Sequence, residues 1–281
     1  MITIGADPEV FLRDIATGNF IAACGKFGGT KGKTVRLGNL NPKEFGLQED
    51  NVMLEFNIPP APRADMFEGY MSMARNELGS LVHTISEGAL EVAPVPFAAF
   101  PQDELVHPRA RLFGCSPDFD AHANGQPLDP IPMESLVRED GREWRFAGGH
   151  VHLGYNNKND IPPFVVAAFA DVIIGLDSLS WDKQGERRKF YGTAGRYRPT
   201  PYGIEYRVLS NRWVYDYCYE VGRGAERIGS LLANVPLTIV QDLYIQTSWG
   251  DVKAAINEEN RTLAQQLADD FYTRVSEYIE W

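Results

Sequence analysis

Between Asn51 and Ile58 the chain alternates: Val52, Leu54, Phe56 and Ile58 fall on one face of an extended segment, and Asn51, Met53, Glu55 and Asn57 fall on the other. That period of two predicts a strand with one face in a core. Pro59-Pro60-Ala61-Pro62 ends it, and Asp65 with Glu68 makes a capping-box-like start to a helix. In this helix Met66, Tyr70, Ala74, Leu78 and Val82 recur every four residues, Phe67, Leu81 and Ile85 widen the stripe, and Gly88 stops it. An earlier segment, Ile2 to Leu12, alternates weakly around Pro8, which predicts a strand with an edge position or a bulge at the proline. The Gly/Lys-rich stretch from Gly25 to Lys33 reads as a mobile loop.

From Leu90 to Ile131 the sequence is rich in proline and predicts short strands and loops. A strand bearing His150 and His152 follows, then an apolar helix from about Pro162 to Trp181. The polar stretch Arg187 to Asn211 comes next, and helices broken near Pro236 and Gly250 fill residues 213–281. There is no regular βαβ alternation. The expected class is therefore α+β: one domain over residues 1–281, built on a curved, largely antiparallel sheet with helices on one face and the other face open.

Composition narrows the classes of function. Apolar residues make up 44% and aromatic residues 11% of the 281, enough for a sizeable core, and charged residues make up an ordinary 23%. No run approaches the roughly 18 to 20 apolar residues of a membrane span, and the N-terminus lacks a basic-then-apolar leader, so a soluble, non-secreted protein is expected. Cys24, Cys115 and Cys218 fit neither a disulfide framework nor a zinc pattern and read as free thiols of a reducing cytoplasm. The net charge of −11 repels nucleic acid and anionic membranes, so an anionic ligand needs a local cationic site.

Side chains two apart on a strand point the same way. Asp7 with Glu9, His150 with His152, Arg196 with Arg198, and Glu205 with Arg207 thus each project as a pair, and Ile204, Tyr206 and Val208 take the face opposite the last. Set side by side, Glu9, Glu55, His150 and Glu205 would crowd carboxylates that divalent cations could reconcile, and oxygen ligands with one imidazole suit magnesium or manganese. Arg187, Arg188, Arg196, Arg198 and Arg207 supply the complement, since guanidinium forks bind phosphate oxygens. Blander readings exist for each segment alone. Asp7-Pro8-Glu9 could be a solvated strand end, the histidines could serve core hydrogen bonding, and Glu205 with Arg207 could form cross-strand ion pairs. The Gly/Lys loop lacks the ending of a Walker motif; Lys26, Lys31 and Lys33 are either a substrate lid or solvated. Four such segments together favour one chemical site.

The segment Gly5-Ala6-Asp7-Pro8-Glu9-Val10-Phe11-Leu12 resembles the opening metal-binding strand of the glutamine synthetase catalytic domain. Gly148-Gly149-His150-Val151-His152 resembles that family's His-x-His strand, and Gly203-Ile204-Glu205-Tyr206-Arg207 its late Ile-Glu-x-Arg strand. With Gln48–Asn57, Gly114–Asp120 and Arg187–Arg198 in the same order, residues 5 to 213 are similar to the phage-type carboxylate-amine ligases of the glutamine synthetase-like superfamily. This resemblance implies two magnesium sites. Glu9, Glu55 and Asp7 or Glu205 would hold metal, with His150 completing the second site, and Glu49 and Asp50 are looser candidates. It implies that Arg187 or Arg188, Arg196, Arg198, Arg207 and His152 hold ATP, and that Glu205, Arg196, Arg198 and Arg207 serve the reacting phosphoryl group.

The implied activity is ATP-driven joining of a small-molecule or peptide carboxylate to an amine, through an acyl phosphate, in a cytoplasm that would be the host's for a phage protein. Two departures matter: no small domain precedes the match, and residues that would bind the amine are unmatched. An oligomer-shared site therefore does not follow, and the acceptor is undefined. A guanidine-kinase-like phosphotransferase, a two-metal phosphoester hydrolase without ATP and a binding-only relative are the rival readings.

Overall fold

A computed structural model describes residues 2–111, 118–130, 136–155 and 161–279. Its strands run β1 Ile2–Ala6, β2 Glu9–Asp14, β3 Phe20–Ile21, β4 Val35–Arg36, β5 Gly46–Asp50, β6 Met53–Asn57, β7 Leu90–Ala93, β8 Phe97–Phe100, β9 Phe119–Asp120, β10 Gln126–Pro127, β11 Glu143–Phe146, β12 Val151–Tyr155, β13 Arg196–Thr200 and β14 Gly203–Tyr206. The helices are α1 Ala64–Ile85, α2 Pro163–Ala170, α3 Leu176–Ser178, α4 Glu186–Phe190, α5 Trp213–Asp216, α6 Cys218–Asn234, α7 Leu237–Gln246, α8 Trp249–Asn257 and α9 Arg261–Val275.

The class is α+β and every strand pair is antiparallel, but the strands form more than one sheet. One sheet has the order β1-β12-β14-β13-β9-β10; a second has β3-β2-β6-β5-β4 with β7 also on β2; β8 and β11 form a separate ribbon. The segment expected to be one strand from Ile2 to Leu12 is therefore two. Proline cannot donate to a ladder; at Asp7-Pro8 the chain leaves the first sheet, and Glu9 begins the second.

Helices cover only one side of the first sheet: α2 and α6 lie against β1, β13 and β14, and Ile4, Leu153, Ile204 and Tyr206 point into that core. The second sheet differs from the expectation, because both its faces are covered. Val10 and Leu12 join the main core while Phe11, between them, packs with Phe100, Met53 and Leu105 beneath the β8–β11 ribbon. A strand buried on both faces loses its alternation, which is why this part read only weakly.

Three boundaries shift for local reasons. Asn51 is not in the strand: it takes a left-handed φ of 55° in the two-residue turn joining β5 to β6. Helix α1 starts from Arg63 with no side-chain cap, and Asp65 pairs with Arg63; its buried stripe is Phe67, Met71, Ala74, Leu78 and Val82, not one through Met66 and Tyr70. As expected, Gly88 closes that helix, with φ 82° and its N–H bonded to the His83 carbonyl. In the C-terminal helices a break falls at Pro236, but Gly250 lies inside α8, and the second break is at Thr247 and Ser248. Among the described residues no helix is long and apolar enough to cross a membrane.

Candidate functional site

Register brings the candidate side chains together. Gly5 pairs with His152, His152 with Glu205, and Glu205 with Arg198, so these residues form one row across β1, β12, β14 and β13 on the face away from the helices. Glycine at position 5 leaves the space beside the His152 ring stem open; a Cβ there would sit 3.5 Å from that of His152. In the second sheet Glu9 pairs with Glu55 and Glu55 with Gln48. The bend at Pro8 sets the end of one row beside the other.

Asp7, His150 and Glu205 place ligand atoms within 4.8 Å of one another, and Glu9, Asp50 and Glu55 do the same. The two glycines before His150 make this possible. A Cβ on Gly148 would overlap the His150 imidazole, and one on Gly149 would overlap the Ser210 carbonyl and the Trp213 indole. Gly148 also fastens the second group, since its N–H donates to Glu9 Oε2 at 2.5 Å and its carbonyl accepts from the Glu9 N–H. Nδ1 of His150 faces Asp7 Oδ1 at 3.5 Å and Glu205 Oε1 at 3.4 Å, while Nε2 of His152 lies 3.0 Å from Asp7 Oδ1. That Asp7 oxygen is buried and accepts no well-directed hydrogen bond.

Crowded acids in a dry place resist ionisation. Burial, with the charge of Asp50, pushes the Glu9 carboxyl up to about 7 despite the opposing pull of His150, the Gly148 N–H and Arg207. Burial and the charges of Asp7, Glu9 and Asp50 raise Glu55 well above its ordinary value, against a hydrogen bond from Gln48. Asp7 goes the other way: burial would raise it, but His152 and His150 outweigh burial and hold it ionised. His152 rises in turn, because Asp7 and Glu205 overcome the burial that would lower it. At an effective dielectric of about 20, two carboxylates 4.8 Å apart repel by roughly 3 kcal/mol. The donor set, carboxylate oxygens with one imidazole and no thiolate, fits hard divalent cations such as magnesium or manganese.

The arginines divide. Arg207 donates from Nη1 to Glu205 Oε1 at 2.6 Å and from Nη2 to Tyr191 Oη at 2.6 Å, and its Nε lies 3.4 Å from Asp118 Oδ1. Arg198 donates to Glu205 Oε2 at 3.0 Å, and Arg196 to Asp118 Oδ2 at 2.8 Å. Arg196 and Arg198 remain partly exposed on the sheet face away from α2 and α6. Arg187 and Arg188 lie behind this layer. Arg187 is wholly buried, with its guanidinium bonded to the carbonyls of Val208 and Leu209 and to Gln184; Arg188 donates to the Gly192 carbonyl on the helix side. Through these carbonyls they brace the loop before β13, and both are buried.

The adjacent acids Glu49 and Asp50 also part company. Asp50 joins Glu9 and Glu55, whereas Glu49 accepts from the N–H groups of Gly25, Phe27 and Gly28 at 2.7 to 2.8 Å and pairs with Arg109 at 2.7 Å. Burial alone would raise Glu49, but those N–H groups and Arg109 lower it. The Gly/Lys loop is therefore clasped to β5 through Glu49, and Lys26 is bonded to the Ala22 carbonyl.

Behind the face, Asp171 sits in a π-helical turn between α2 and α3, where the expected single helix widens. Its carboxylate accepts from Tyr206 Oη and the Gly195 N–H and contacts His122 Nε2, all at 2.6 to 2.7 Å, which holds β13 and β14 from the rear. Asp118 and Tyr191 are the residues that reasoning from sequence did not assign. Both sit inside the segments Gly114–Asp120 and Arg187–Arg198 that carry the family resemblance, and adjacency is their only signal in sequence. Gly114, Cys115, Ser116 and Pro117 lie outside the described residues. A cleft of about 410 Å³ is lined in part by Gly5, Ile58, Pro60, His152 and Tyr202. Tyr202 stacks on His152 and bonds its Nδ1 at 2.7 Å. No family model and no curated protein matches the sequence.

Proposed function

We propose that the chain is an ATP- and magnesium-dependent carboxylate-amine ligase. The observation that carries this reading is two neighbouring acid groups, Asp7/His150/Glu205 and Glu9/Asp50/Glu55, with the partly exposed Arg198 bonded to Glu205 of the first group and Arg196 two residues away on the same strand. The ordered resemblance of residues 5 to 213 to phage-type amidoligases points the same way. Cations held by these two groups would supply charge neutralisation for a polyphosphate in a protein whose net charge of −11 otherwise repels it. A hydrolase needs the acids but not the arginines, which favours phosphoryl transfer from ATP over simple hydrolysis.

The chemistry is a two-step condensation. A substrate carboxylate oxygen attacks the γ-phosphorus of ATP, the bond to the bridging oxygen breaks, and ADP leaves, giving an acyl phosphate. An amine lone pair then attacks the acyl carbon, phosphate departs with the C–O electrons, and the amine loses a proton to give the amide. Arg198 and Arg196 border the space where phosphoryl charge would develop, and Glu205 orients Arg198 and Arg207 through its two oxygens. His152 lines the 410 Å³ cleft with Nε2 facing Asp7 and Nδ1 bonded to Tyr202, so it would reach a phosphate oxygen only by giving up one of these partners.

Purified protein incubated with ATP, magnesium and panels of carboxylates and amines tests this reading. Amine-dependent release of ADP and phosphate, with a conjugate lighter by one water in mass spectrometry, is expected. A phosphorylated acceptor in place of the amide would reassign the chain to the phosphotransferases. Metal-dependent phosphoester cleavage without ATP would overturn the reading altogether.

A further inference from the structure

Imidazole and arginine, one from each half of the site, meet on a single phenol oxygen. Tyr191 follows α4 in extended backbone and is 3% exposed. Three guanidinium groups border its ring, Arg187 at 4.7 Å, Arg207 at 5.7 Å and Arg196 at 5.9 Å from the centroid. Its Oη accepts from Arg207 Nη2 at 2.6 Å and lies 2.9 Å from His150 Nε2. The other imidazole nitrogen, Nδ1, is the one that faces Asp7 and Glu205. A cation shared with those carboxylates must take the lone pair of Nδ1, so the ring proton belongs on Nε2, directed at Tyr191.

We infer that Tyr191 is a positioning residue that holds His150 in the rotation and tautomer required for cation binding and ties it to Arg207. This rests on the cation sites of the proposed function. A phenol oxygen can accept from both neighbours, and Arg207, which has no acceptor, fixes the sense of its own bond. The contacts close a ring: Tyr191 to Arg207, Arg207 to Glu205 Oε1 at 2.6 Å, Glu205 to His150, and His150 back to Tyr191. A phosphate that draws on Arg207 would therefore be felt at His150. Ring packing alone would be served equally by phenylalanine, and the hydroxyl is what distinguishes the two cases. Outer partners of metal-ligating histidines set ligand orientation, and their loss costs about 10- to 100-fold in metal affinity.

The test is Tyr191→Phe in the full chain with Mn2+ as the probe, binding being followed by electron paramagnetic resonance. About 10-fold weaker Mn2+ binding is expected, with the metal-free protein still melting as a folded domain at a lowered temperature because Arg207 and His150 lose a buried partner. In 15N-histidine-labelled protein with Mg2+, His150 should show a proton on Nε2 in the wild type and a mixture of tautomers in Y191F. Unchanged Mn2+ affinity in a folded Y191F overturns the inference. Should Y191F fail to fold, the wild-type spectrum decides, because His150 protonated on Nδ1 with Mg2+ bound would overturn it equally. Wild-type protein that binds no Mn2+ removes the cation sites themselves, a failure distinct from the other two.

Discussion

The buried acids of the second group make the stability of the metal-free protein fall as pH rises through neutrality. Glu9 ionises near 7 in the fold against an ordinary value of 4.5. A carboxyl raised by folding binds its proton more tightly in the native state, so stability is fullest below about pH 4.5 and is lost as pH climbs through 7. The shift corresponds to about 3 kcal/mol at 1.36 kcal/mol per unit, similar to the roughly 3 kcal/mol repulsion of one carboxylate pair. Glu55, also raised, acts in the same sense, as does His152, whose contribution holds below its ordinary 6.5 and is lost above its raised value. Asp7 is lowered, and its opposing window lies below about pH 4. For 281 residues the unfolding entropy is about 0.6 kcal/mol/K, so 3 kcal/mol is about 5 °C of melting temperature.

Scanning calorimetry from pH 5 to 8, with chelator and then with millimolar Mg2+, measures this directly. The metal-free melting point should drop by about 5 °C toward pH 8, and Mg2+ should raise it more at pH 8 than at pH 5, where Glu9 and Glu55 keep their protons while Asp7 is ionised. Glu9→Gln should lift the metal-free melting point at pH 8 and shrink the Mg2+ increment there to the part supplied by the Asp7, His150 and Glu205 group. A Mg2+ increment of equal size at pH 5 and pH 8, or none at either, would refute the reasoning.

Glu205→Gln should cut ATP-dependent turnover at least about 100-fold while the fold persists, at a cost of about 1 to 3 kcal/mol for weakening both arginine contacts; unchanged steady-state activity would remove Glu205 from the site. Glu49→Ala should cost about 1 to 3 kcal/mol and speed hydrogen exchange at Gly25, Phe27 and Gly28 without altering Mn2+ affinity, which separates it from neighbouring Asp50. Gly149→Ala, whose methyl would meet the Ser210 carbonyl and Trp213, should lower stability by about 1 to 3 kcal/mol or more in urea melts.

Much of the site face was legible because strand alternation is local. A period of two follows from backbone geometry, so Glu205 opposite Ile204 and Tyr206, or Glu55 opposite Leu54 and Phe56, could be placed from the residues alone. The helices carried their own signals, and the lack of βαβ spacing indicated antiparallel pairing. Alternation cannot say which strand lies beside which. The row from Gly5 through His152 and Glu205 to Arg198, and the switch of sheets at Pro8, depend on strand partners that local pattern does not name, Gly5 and His152 being 147 residues apart. Nor does side-chain chemistry reveal what a charge will meet. Glu49 and Asp50 are adjacent and equally acidic, yet strand alternation sends one to a loop's N–H groups and the other to Glu9, and only the packed chain shows which goes where. Arg187 and Arg188 read from sequence as phosphate ligands, and the fold adds that both are buried and bonded to backbone carbonyls, while Tyr191, an ordinary aromatic in sequence, joins His150 to Arg207. Local pattern determined which side chains share a face; long-range packing, which alone sets distance and desolvation, decided which of them share a site.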